Sequence, residues 1–126
     1  MAVNASGVAI AAWDQYTYNY GGNATIGVAT QSSGKWAAPF TITGTNGFSM
    51  SPRVAVGADG TMAVSWTYQD PATQPTPQQQ KIQVAVKPAG STTWTTTTLA
   101  QGTVGGVAIT QVIPVAVDAN GNVFVT

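Results

Sequence analysis

The chain contains no cysteine, no histidine and no glutamate. Without cysteine there can be no disulfides, and without histidine as well the usual zinc sites are excluded. Ser-His-Asp and Cys-His nucleophile systems cannot be assembled from this residue set. Its acids are Asp14, Asp59, Asp70 and Asp118, and its cations are Lys35, Arg53, Lys81 and Lys87. Formal charge is therefore zero, and charged residues make up 6% of the 126, against roughly 25% in an average globular protein. Nucleic-acid binding needs clustered cations to displace phosphate counterions, and these four are scattered. No apolar run approaches the roughly 18 residues of a membrane-spanning helix, so membrane insertion is not expected.

Other chemistry is missing too. Gly102-Thr103-Val104-Gly105-Gly106 lacks the spacing and the lysine of a phosphate-cradling loop. Glycoside hydrolysis usually needs two carboxyl groups flanking the scissile bond, and Asp14 and Asp70 lie in equivalent positions of different repeats. No enzyme activity, cofactor or resident metal is expected.

What is present is an internal repeat. Ala2-Val3-Asn4-Ala5-Ser6-Gly7 leads to Trp13, and Ala55-Val56-Gly57-Ala58-Asp59-Gly60 leads to Trp66, 53 residues further on. Ala116-Val117-Asp118-Ala119-Asn120-Gly121 opens a third copy. The later halves also match, Ile26–Thr30 with Ile82–Val86 and Gly34-Lys35-Trp36 with the surroundings of Trp94. Each unit of roughly 50–60 residues reads as four strands. In the second copy strand A is Arg53–Val56, B is Thr61–Tyr68, C is Lys81–Lys87, and D begins near Trp94. Ser6-Gly7, Asp59-Gly60 and Asn120-Gly121 are expected to form type I′ hairpin turns with positive φ at both residues. Val8–Trp13 and Met62–Trp66 carry small or apolar residues on both faces, as strands buried between neighbouring sheets do.

The stretch Val115-Ala116-Val117-Asp118-Ala119-Asn120-Gly121-Asn122-Val123-Phe124-Val125-Thr126 resembles the strand A–turn–strand B signature of bacterial β-propeller repeat proteins. More distantly it is similar to sialidase-like propellers. The resemblance implies an all-β architecture of four-stranded propeller blades and no particular activity. It departs from the sialidase Asp-box, because the Asp/Asn/Ser-Gly turn here joins strands A and B, whereas the Asp-box joins C and D. Arg53 also stands alone where a sialidase site needs several arginines.

On this reading the whole chain, 1–126, is one propeller segment. Blade 1 spans 2–51, blade 2 spans 52–112, and a partial blade of strands A and B spans 113–126. About two and a half blades fall short of the roughly four to eight that close a propeller, so completion by a homo-oligomer or by a longer array is expected. The neutral, hydroxyl-rich composition points to an extracellular, cell-envelope or virion setting. Met1-Ala2-Val3-Asn4 lacks the basic start of a signal peptide.

Long B–C and D–A connections share one rim of such a meander, and that rim is the candidate binding face. Asp14–Ala24 carries Asp14, Tyr16, Tyr18, Asn19, Tyr20 and Asn23, and its counterpart Asp70–Gln80 follows Tyr68 and begins with Asp70. The D–A segments are Gly44–Ser51, with Phe48 and Met50, and Gln101–Gln111. Aromatic rings pack on the apolar face of a pyranose while amides and carboxylates hold its hydroxyls, so these residues suggest lectin-like glycan binding. The period-two spacing of Tyr16, Tyr18 and Tyr20 equally fits a simple extension of strand B. Trp13, Trp36, Trp66 and Trp94 are expected in the core or between blades. The alternative function is structural: a segment of a larger secreted, envelope or phage propeller protein, or a filament subunit. Asp118–Asn122 faintly resembles a calcium loop but reads better as a hairpin turn. Asn4-Ala5-Ser6 and Asn23-Ala24-Thr25 fit the glycosylation sequon, a short pattern that often arises by chance.

Overall fold

A computed structural model describes residues 1–17, 23–44, 46–70, 79–103 and 113–126. The chain is all-β, with no helix among the described residues. Strands β1 (Ala2–Val3), β2 (Ala9–Thr17) and β3 (Asn23–Ser32) form an antiparallel meander. Two short strands, β4 (Lys35–Trp36) and β5 (Phe40–Thr41), both pair with β3 as its outer neighbours. A second meander comprises β6 (Phe48–Val56), β7 (Met62–Gln69), β8 (Gln79–Lys87) and β9 (Thr95–Thr103). Among the described residues the two are linked into one mixed sheet by a single parallel pair, Ala24 with Phe48. Strands β10 (Val115–Val117) and β11 (Val123–Val125) form a separate hairpin. The described strands do not close into a barrel.

Cross-strand pairs share a face, so the register shows how the meanders meet. Ile10, Ala12, Ile26 and Val28 project from one face of the first meander. Met62, Val64, Trp66 and Ala85 project from one face of the second. Together they make the core, in which Ile10, Ile26, Val28 and Val64 are fully buried. Phe40 and Trp94 meet at the outer edge, ring centroids 6.3 Å apart. The tryptophans divide: Trp66 is buried and Trp94 half-buried against the core, but Trp13 and Trp36 are exposed and lie outside it.

The repeat turns correct the sequence expectation. In each, the glycine N–H donates to the carbonyl three residues back: Gly7 to Asn4, Gly60 to Gly57 and Gly121 to Asp118. Only the glycine adopts positive φ (78°, 96° and 81°), while Ser6, Asp59 and Asn120 do not. These are type I turns followed by a left-handed glycine bulge, not two-residue type I′ turns. A type I′ pair occurs elsewhere, at Ser33-Gly34 between β3 and β4 (φ 53° and 74°).

Side chains cap these turns differently. Asn4 Oδ1 accepts from the Ser6 and Val8 amides, both at 3.0 Å. Asp118 Oδ1 does the same for Asn120 and Asn122, at 2.9 and 2.8 Å. In the middle copy that position is Gly57, and Asp59 takes over, accepting from the Thr61 amide and hydroxyl at 2.9 and 2.7 Å. The Thr61 hydroxyl and amide hold the Asp59 carboxyl below the ordinary carboxylate range, and Asn122's side chain and amide do so for Asp118.

Both depressed carboxyls contribute stability that is full above the unfolded carboxyl value and lost as pH falls through the folded one. The urea midpoint of the protein is therefore expected to fall below about pH 4. Asp118→Asn, which copies Asn4, should keep the near-neutral midpoint and flatten the acid slope, whereas Asp118→Ala should lower the midpoint across the range. An Asn variant with the full acid slope of the parent, measured alongside Asp59→Asn, would contradict this assignment.

Strand limits differ from expectation at the rim. Asp14 and Tyr16 lie within β2, Asn23 begins β3, and Gln79-Gln80 begin β8, so strand replaces part of both expected B–C connections. Phe48–Ser51 belong to β6, not to a connection. Ser51-Pro52 interrupt its pairing with β7, with Ser51 at φ 59°. Proline cannot donate to a ladder, so the strand bends there and resumes at Arg53.

Candidate functional site

The ends of β2 and β7 and the starts of β3, β6 and β8 lie at one rim, because Thr17 pairs with Asn23, Phe48 with Gln69, and Gln69 with Gln80. Gly47 is the hub. Its carbonyl accepts from the Ala24 amide at 3.3 Å, and it has φ 83°. A Cβ there would lie 2.8 Å from the Tyr68 hydroxyl and 2.6 Å from the Gln69 carbonyl. Glycine thus meets two requirements, left-handed backbone and close approach of the tyrosine.

Tyr68 and Lys81 are direct cross-strand partners on β7 and β8. Lys81 Nζ stands 5.2 Å from the Tyr68 ring centroid, within cation–π range. It also lies 3.6 Å from Asp70 Oδ1. Burial, then hydrogen bonding and charge from Asp70, push the Tyr68 phenol above its ordinary value. These surroundings favour the neutral phenol.

These residues open onto a cleft of about 620 Å³ between the meanders, lined among others by Asn46, Ser49, Trp66, Tyr68, Lys81 and Gln83. Trp66 Nε1 donates to Gln83 Oε1 at 3.1 Å, and Gln83 Nε2 donates to Thr98 Oγ1 at 3.2 Å. The cleft floor is thus a preorganised amide chain, leaving Lys81, Tyr68 and Asn46 as its adaptable polar wall. Lys81's charge is matched by Asp70, so the wall is close to net neutral.

The sequence-derived candidates separate into groups. Tyr68 lines the cleft and Asp70 is joined to it through Lys81. Asn23 sits at the same rim, at the start of β3. Asp14 faces the second meander, and its Oδ1 accepts from the Ser51 amide at 2.9 Å. Tyr16 is 57% exposed and extends β2 beside Ala24. Tyr18, Asn19 and Tyr20 lie outside the described residues. Lys81, Asn46, Ser49 and Gln83 were not singled out from the sequence. Pairing B with C about the Asp70–Gln80 connection places Lys81 beside Tyr68, a signal the chain does carry. Ser49 and Asn46 depend on the unforeseen start of β6.

Comparison with protein-family models, with curated proteins and with solved structures finds no match to this chain.

Proposed function

We propose that the chain is a non-enzymatic, lectin-like binding module whose two meanders are successive propeller blades, and that its ligand is a neutral glycan. The observation that carries this reading is the cleft, which is lined by the Tyr68 ring, by Lys81 lying over that ring, and by Asn46. An aromatic ring suits the apolar face of a sugar, and the ammonium and amide suit its hydroxyls. Matching of Lys81 by Asp70 disfavours an acidic sugar, which would have to compete with that carboxylate.

A non-enzymatic role accords with the occupation of all four carboxylates. Asp59 and Asp118 cap turns, Asp14 holds the Ser51 amide, and Asp70 pairs with Lys81. Each carboxylate thus has a contact within the fold.

The test is a broad glycan array followed by calorimetry on its hits. Tyr68→Ala should weaken binding by at least about ten-fold, while Tyr68→Phe retains most of it because the ring persists. No hits across neutral glycans, or full affinity in Tyr68→Ala, would overturn the proposal. The structural-module reading is favoured by a different observation, the exposure of Trp13 and Trp36 (36% and 46%) on one sheet face.

A further inference from the structure

Trp13 and Trp66 are equivalent in the repeat, as are Trp36 and Trp94, yet the second-copy pair is covered and the first-copy pair is open. Register explains the difference. Trp13 pairs with Gly27, Ala11 with Ala29, and Gln31 with both Ala9 and Trp36, so these residues share the face of the first meander turned away from the core. The Trp13 ring lies directly over Gly27, where a Cβ would collide with it. No charged residue pairs into this face. On the second meander the equivalent face, with Met62, Val64 and Trp66, is covered by Ile10, Ile26 and Val28.

The element that covers such a face is therefore already present in the chain. The counterpart of the Ile10–Ile26–Val28 face on the second meander holds Ala63, Ser65, Ile82 and Val84. Its inner part carries the β10–β11 hairpin: the Ser65 hydroxyl donates to the Ile113 carbonyl at 2.5 Å, and Val117 packs on Gly57. Its outer part, at Ile82 and Ala100, remains a small open groove of about 150 Å³. The β10–β11 hairpin also repeats the sequence of β1 and its turn, Ala116–Gly121 answering Ala2–Gly7.

We propose that the Trp13–Trp36 face docks on the Ser65–Ile82–Val84 face of a second copy, head to tail, and that β10–β11 is an internal competitor for that place. This inference rests on reading the meanders as successive blades. Docking would bring the second copy's β1–β2 hairpin to the ground that β10–β11 occupies, so association requires the hairpin to yield. Such a heterologous contact closes into a ring if its rotation permits and otherwise continues as a filament.

The experiment is light scattering over a concentration series on the whole chain and three variants. Trp13→Glu and Trp36→Glu should each raise the concentration for half-association by at least about ten-fold, with the monomer still folded at the temperature of measurement. Gly57→Ala, which crowds Val117 and Asp118, should loosen the hairpin and strengthen association. Opposite signs for the two classes are the signature. Unchanged association in both tryptophan variants, or weaker association in Gly57→Ala, would overturn the inference. A parent that stays monomeric at every concentration, together with a monomeric Gly57→Ala, would overturn it as well. Glycan affinity measured on the same samples reports on the cleft separately, since neither tryptophan lines it.

Discussion

Trp66→Ala is expected to lower the free energy of unfolding by about 3–5 kcal/mol, the range for deleting a fully buried large aromatic. Trp66 is 1% exposed, stands on the β7 face that meets Ile10, Ile26 and Val28, and closes the amide chain through Gln83. Removal leaves a cavity between the two meanders and an unpaired Gln83 carbonyl. Because among the described residues one pair joins the meanders along the ladder, side-chain packing holds them together, and this indole is the largest of the fully buried side chains. Trp13→Ala at the equivalent position should cost less than about half as much, since a third of that side chain already faces solvent. Urea unfolding of the two variants makes the comparison. Equal losses would mean that the two repeats do not differ in packing as described.

Gly57→Ala should have the second largest effect, concentrated on the third hairpin. A Cβ at residue 57 would lie 2.6 Å from Asp59 Oδ1, 2.8 Å from Val117 Cγ1 and 2.9 Å from the Asp118 carbonyl. Neither the cap nor the neighbouring backbone can give way cheaply, and overpacking of this kind typically costs about 1–3 kcal/mol. The Gly57 carbonyl also accepts from the Asn4 side chain at 2.8 Å, so the residue lies where all three turns meet. Hydrogen exchange should show faster amides in β10 and β11 while β7 and β8 keep their protection. Uniform acceleration across the chain would point instead to a general loss of stability.

Much of the architecture can be read from the residues because turn chemistry is local. A glycine after Asn4-Ala5-Ser6, Gly57-Ala58-Asp59 or Asp118-Ala119-Asn120 marks a left-handed position whatever surrounds it, and the strand order of each unit follows. The turn type was misread because an Asn-Gly pair alone cannot show whether one residue or two adopt positive φ. Burial was harder to read. Trp13 and Trp66 have the same local motif and the same period, and only the sheet packed alongside distinguishes them. For the same reason the bond from the Ser51 amide to Asp14 was out of reach: only the packing of β6 beside β2 brings the two together. The cleft residues Asn46 and Ser49 escaped notice because strand A was expected to begin at Arg53, whereas β6 begins at Phe48.

The rim of the repeat turns is not uniform: Gly57 and Gly121 are crowded, while other positions stand free. Gly7, Gly34 and Gly90 face open space, with nothing near enough to meet an added Cβ. Ala5, Ala58 and Ala119, in the repeat turns of the same rim, are exposed. At the opposite rim Gly47 is hemmed in by Tyr68 and Gln69. A cysteine placed at Ala5 or Ala119 would give a single reactive handle in a chain that has none of its own. Coupled through it to a surface, every molecule would stand the same way round, with the Tyr68 cleft turned toward the solution.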